Sequence, residues 1–223
     1  MMEPRVTTAK AALLAEYALI AQALASPARL MLLEQLAQGE RAVDPLARKT
    51  FLSVANCSQH LQQLRRAGLV TSRRDGKAVI YRLADTEVLK VMDLMGKLAG
   101  RNLAEVDRIL RGLAGGSEAP EAVSRPELAE RLEEGTVVLL DMRPPDEFAM
   151  AHIPGARNVM VADLGALLPS IPGDTEVVAY CRGPYCVYAH EAVAFLRQRG
   201  ISARCLDGGL PEWRAEGREV VSS

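Results

Sequence analysis

The stretch VAYCRGPYCVYAHEAVAFL, residues 178–196, decides how the second half of this chain is read. A short apolar run of β type ends in Cys181, a loop with Gly183 and Pro184 follows, and an alanine-rich helical pattern then begins. A thiol at a strand-to-helix turn faces the unpaired N–H groups and positive dipole end of the new helix. Both favour thiolate over thiol, which makes the sulfur reactive. Cys186 sits five residues further along the same loop. It is either a second reactive thiol or a small side chain packed against the sheet.

Working outward, TVVLLD (136–141) and EVVAY (176–180) read as buried strands, and 201–206, carrying Cys205, as a third. Ser124-x-x-Glu127 is a capping box that opens a helix. Strands alternating with helical patterns imply a parallel α/β sheet with Cys181 at a strand's carboxyl end, where such sheets place their sites. Further blocks lie on either side: Leu140-Asp141-Met142-Arg143, Glu147-Phe148, His152-Ile153-Pro154-Gly155-Ala156 and Asn158-Val159 upstream, Leu206-Asp207-Gly208-Gly209 and Trp213 downstream. In this order and spacing they resemble a single rhodanese (sulfurtransferase) domain.

The resemblance implies that Cys181 carries sulfane sulfur as a persulfide with Arg182 as a catalytic partner, and that Gly183, Tyr185 and Val187 shape an anion-binding loop. It places Asp141 and Arg143 beside the site in supporting roles, and His152, which sits in one of its motifs, is either structural or catalytic. One position departs from the family: members active on thiosulfate usually carry a basic residue at the sixth loop position, where this chain has Cys186. A cation is lost for binding a dianionic donor, and a resolving thiol is gained that can attack a persulfide on Cys181.

The chain of 223 residues has a net charge of −1, an average that hides an asymmetry. Residues 1–115 carry 17 Lys and Arg against 11 Asp and Glu, and the remainder carries 10 against 17. The first part suits a polyanion and the second repels one. The change coincides with Gly115-Gly116-Ser117-Glu118-Ala119-Pro120, which reads as a flexible linker. The expected organisation is therefore residues 1–115, a linker at 116–123, and residues 124–223. No apolar run approaches the ~20 residues of a bilayer span, and the N-terminus lacks a signal-peptide pattern. The expectation is a cytoplasmic protein without membrane association.

In the basic part, Ser26-Pro27 opens a helix that ends before Gly39, Asp44-Pro45 starts a short one, and Ser53 caps another that ends at Gly68. LVTSRR and KAVIYRL, joined at Asp75-Gly76, read as a hairpin. This is a mainly helical winged helix-turn-helix with a β-hairpin wing. LASPARLMLLEQL, SQHLQQLRRAGLV and RRDGKAVIYRL resemble the ArsR/SmtB group of bacterial repressors. Along the capped helix, Val54, Cys57, Leu61 and Leu64 follow the spacing of a buried face, whereas Asn56, Gln59, His60 and Gln63 fall on other faces and suit base edges. Arg66, with Arg65, and Arg73, Arg74 and Lys77 on the wing suit phosphates. His60 is either a base contact or a structural histidine. From Asp85 to about Leu113 a long helical stripe exceeds what a small winged-helix core can bury, and pairing with a second chain is its natural outlet.

The first part offers one cysteine and one histidine, too few for a metal site of that group. No metal or cofactor is expected. The sequence implies a repressor-type regulator that binds double-stranded operator DNA as a homodimer. Its appended domain senses or carries sulfur from a small thiol, polysulfide or thiosulfate. Two other readings stay open: a working sulfurtransferase with an autoregulatory DNA-binding part, and a thiol–disulfide redox repressor.

Overall fold

The computed structural model describes residues 4–113, 122–173, 175–183 and 186–222. The chain divides into two compact units, residues 1–88 and 89–223. The division falls inside a helix, upstream of the glycine-rich run, because compactness follows packing and not composition. Residues 116–121 of the expected linker lie outside the described residues. Val123, its last residue, already belongs to the second unit, hydrogen-bonded on both sides to Cys205 and Asp207.

The first unit contains α1 (Pro4–Leu24), α2 (Pro27–Ala37), β1 (Arg41–Ala42), α3 (Val43–Lys49), α4 (Val54–Arg66), β2 (Val70–Asp75) and β3 (Ala78–Leu83). Leu32, Leu33, Leu46, Leu61 and Leu64 are fully buried and bind α2, α3 and α4 into one core. Pro27 opens α2, though Ser26 makes no side-chain cap, and the Ser53 hydroxyl accepts from the Asn56 N–H to start α4. Two expectations are corrected. Helix α3 begins at Val43 behind Ala42, because β1 pairs with β3 and delivers the chain there before Asp44 is reached. Val54, read as part of the buried stripe, is half exposed, since the core ends at Cys57.

Strands β2 and β3 pair antiparallel from Val70↔Leu83 to Asp75↔Ala78, turning at Gly76, whose φ of +57° suits a residue without a Cβ. The order β1-β3-β2 adds a strand that no alternation signalled, since two residues carry no period. Among the described residues, Phe51 in the α3–α4 turn is the only non-glycine residue with positive φ, at +56°. That conformation costs an L-residue about 1–2 kcal/mol.

The expected long helix is two helices, α5 (Glu87–Asn102) and α6 (Ala104–Leu113). The break falls at Leu103. There the Asn102 side-chain amide donates to the Leu98 carbonyl, and the Leu103 N–H still bonds the Ala99 carbonyl (2.9 Å).

The rest of the second unit comprises α7 (Arg125–Glu133), β4 (Val137–Asp141), α8 (Pro145–Met150), β5 (Arg157–Asn158), α9 (Leu164–Leu167), β6 (Glu176–Tyr180), α10 (Val187–Arg197), β7 (Ala203–Cys205) and α11 (Leu210–Ala215). The four strands form a parallel sheet in the order β5-β4-β6-β7. Alternate residues serve opposite faces: Leu140, Val177 and Ala179 pack with Leu164, Ala192 and Leu196, while Leu139, Val178 and Tyr180 pack with Leu128, Ile153 and Trp213. Ser124 caps α7 through the Glu127 N–H, but the Glu127 carboxylate reaches Arg204 instead of closing the box.

Arg204 and Arg131 both bond Glu176, and the hydrogen bond from Arg204, with that from Arg131, holds its carboxyl down at about 2 against partial burial. Because this pKa is depressed from 4.5, its stabilisation is complete above about pH 4.5 and fades as pH falls toward 2. Urea unfolding followed by Trp213 fluorescence should therefore show wild type more stable than Glu176→Gln at pH 7. The gap should close near pH 2, and a pH-independent gap would contradict this account. Among the described residues, no single helix is long and apolar enough to cross a membrane.

Candidate functional sites

Strand β6 is buried on both faces and delivers Cys181 at its carboxyl end, with no exposed surface. The loop turns through a bond from the Cys186 N–H to the Gly183 carbonyl, and Cys186 is the N-cap residue of α10. The sulfurs of Cys181 and Cys186 are joined as a disulfide, with Cα atoms 6.0 Å apart. Cys186 is partly buried and packs against the core on that face of the sheet. His190, one helical turn after the loop, donates from Nδ1 to the Cys186 carbonyl (2.9 Å).

The loop's base is fixed by Gly209. A Cβ there would lie 2.4 Å from the Cys181 carbonyl oxygen, 2.6 Å from the Gly183 nitrogen and 2.8 Å from the Arg182 carbonyl carbon. The Leu210 N–H adds a bond to the Cys181 carbonyl (3.3 Å). The Glu212 carboxylate accepts from the Gly209 N–H (2.8 Å), and burial pushes its pKa up.

Arg182 makes two bonds to Glu147, from Nε (2.9 Å) and Nη2 (2.8 Å), and that carboxylate is fully buried. The guanidinium thus ties the loop to α8, and its charge is offset where it stands. Gly183 is partly exposed and Val187, first residue of α10, is exposed. Tyr185 lies outside the described residues.

Asp141 and Arg143 are both fully buried. The guanidinium meets the carboxylate through Nε (3.0 and 3.1 Å) and Nη2 (2.6 Å), and Nη2 also bonds the Ala151 carbonyl (2.7 Å). The Arg143 N–H and the Asn158 amide close the network around the end of β4. His152 donates from Nδ1 to the Phe148 carbonyl and stacks on that ring at 3.7 Å, a packing role. Desolvation pushes the thiols of Cys205 and Cys57 up to about 12 and about 11, so both are poor nucleophiles at neutral pH. Among the described residues, no group of three or more His, Cys, Asp and Glu could hold a metal ion.

In the first unit, Asn56, Gln59 and Arg66 are exposed on α4. Gln63 is partly buried, and its Oε1 accepts from Arg29 Nη1 (2.7 Å). Arg29 also bonds the Gln22 carbonyl at the end of α1, a tie that no local pattern announced. His60 is partly buried, and its buried Nδ1 has no hydrogen-bonding partner. Arg74 and Lys77 are exposed on the wing, whereas Arg73 pairs with Glu40 (2.5 Å) and Asp75 (3.1 Å).

Together these define a winged helix-turn-helix regulator carrying a rhodanese-like domain. The Helix-turn-helix domain family matches residues 24–73 and the Rhodanese-like domain family residues 124–216. The HTH-type transcriptional regulator Rv0324 of Mycobacterium tuberculosis is 42% identical over 95% of this chain and 92% of its own length. The chain belongs to that family of ArsR/SmtB-type transcriptional regulators, with a DNA-binding helix-turn-helix and a rhodanese-like domain. The uncharacterized HTH-type transcriptional regulator Rv0081 of the same organism is 38% identical over 43% of this chain and 85% of its own. A solution structure of a homodimeric winged helix-turn-helix DNA-binding domain from Mycobacterium bovis, a possible ArsR-family regulator, is 39% identical. It covers 46% of this chain and 92% of its own, with a TM-score of 0.41.

Proposed function

We propose that this regulator is a repressor whose rhodanese-like half receives reactive sulfur on Cys181, with Cys186 as the resolving thiol. The observation that carries the reading is the union of the two sulfurs at the carboxyl end of β6. In the reduced protein, the Cys181 thiolate attacks the outer sulfur of a hydropersulfide or polysulfide. The thiolate of the hydropersulfide, or a polysulfide shorter by one sulfur, leaves, and Cys181 becomes a persulfide. The Cys186 thiolate then attacks the Cys181 Sγ, forming the disulfide and expelling the outer sulfur as hydrosulfide. On this route one Cys181–Cys186 bond forms for each sulfur received.

Two observations weigh against steady thiosulfate turnover. Arg182 is already held by Glu147, and Cys186 stands where a cation would meet a dianion. A repressor answering oxidants alone is the second reading, because an oxidant forms the same disulfide without a persulfide. The protein is proposed to bind operator DNA as a homodimer. Leu13, Leu14 and Tyr17 on α1, and separately Leu94 and Leu98 on α5, are more than half exposed, which a dimer would bury.

Fluorescence anisotropy on the protein's own promoter DNA tests the proposal, before and after polysulfide, with intact masses recorded for each sample. Wild type should change affinity at least tenfold, about 1.4 kcal/mol of coupling, and Cys181→Ser should not respond. Equal responses in both proteins would overturn the assignment to Cys181. An equal response of wild type to peroxide and polysulfide would select the oxidant reading.

A further inference from the structure

Phe51 combines two properties that rarely meet in one side chain. It is 95% exposed, and it holds a left-handed backbone conformation that disfavours bulky residues. Its turn is firmly built: the Thr50 hydroxyl bonds the Leu46 carbonyl (2.7 Å), and the Leu52 N–H bonds the Ala47 carbonyl (3.0 Å). A glycine would relieve the conformation and remove an aromatic ring from water. Nothing in the packing of the first unit needs the ring.

The ring sits two residues before Ser53, the cap of α4, and the next exposed positions are Val54, Ala55 and Asn56. The first turn of a recognition helix is the part that meets base edges. Around it the chain is cationic: residues 41–66 hold five Arg and Lys against the single acidic Asp44. That charge favours a polyanion over a second copy of the same surface. An apolar side chain has one distinctive target in the major groove, the C5-methyl group of thymine.

We propose that Phe51, with Val54 beside the cap, is a specificity-determining contact that packs on thymine methyl groups at the edge of the operator half-site. The inference rests on the DNA-binding reading of α4 and adds a contact made by the turn that precedes it. The left-handed strain at residue 51 is retained because this turn aims the ring outward.

The test uses the full chain under reducing conditions and the promoter fragment prepared twice, once normally and once with dUTP replacing dTTP, which removes only the methyl groups. Wild type should bind the uracil fragment about tenfold more weakly. Phe51→Gly should bind normal DNA about tenfold more weakly, show little further loss on the uracil fragment, and melt at a higher temperature than wild type. Phe51→Leu should retain most of the methyl discrimination. A Phe51→Gly protein that melts higher but keeps wild-type affinity and methyl discrimination would overturn the proposal. So would a change confined to self-association in sedimentation, which would assign the ring to a protein contact. Wild type that fails to bind either fragment would instead remove the DNA-binding reading itself.

Discussion

Arg143→Ala should destabilise the rhodanese-like half by about 3–5 kcal/mol, the usual cost of stripping one partner from a buried ion pair. The Asp141 carboxylate would remain fully buried, keeping only the Arg143 backbone N–H among the Arg143 groups that now satisfy it, and the Ala151 carbonyl would lose its donor. Trp213 is the chain's one tryptophan and is buried among Leu128, Val178 and Tyr180, so its fluorescence reports this half in urea unfolding. The double change Asp141→Leu with Arg143→Met should recover part of the loss, because replacing both charges removes the stranded one. A single variant that unfolds at the wild-type midpoint would show that water reaches the pair, contrary to its burial.

Gly209→Ala should cost less stability and act more locally. The added methyl meets three backbone atoms of residues 181–183 within 2.8 Å, and backbone cannot turn aside as a flexible side chain can. Stability should fall by about 1–3 kcal/mol. Oxidative closure of Cys181 onto Cys186 should slow at least tenfold, since the methyl displaces the strand end that presents the first sulfur. Timed intact-mass analysis after a mild oxidant gives the rate. Closure at the wild-type rate would mean that the loop is not seated on Gly209.

Much of the architecture was legible because it is written in short-range chemistry. Buried parallel strands read as continuous apolar runs, Ser53 and Ser124 start helices, and Asp75-Gly76 turns the wing. Cys181, at the junction of an apolar run and a helical pattern, announced itself for the same reason. The two-residue strands β1 and β5 left no trace, because pairing, not pattern, makes them strands. The helix break at Leu103 left no mark in the long helical stripe, because the apolar spacing runs on through it.

The sequence by itself determined the two kinds of domain, the two thiols on one loop and the basic character of the DNA-binding half. Only tertiary structure decided which charges are already spoken for. Arg182 meets a carboxylate 35 residues away, Gln63 is bonded by Arg29 and Arg73 by Glu40. Pairings of that kind depend on which elements the fold brings together, and a residue's type and spacing along the chain do not encode them. Tertiary structure also set Phe51 in water and Val54 outside the core, because burial belongs to the packed unit and not to the helix.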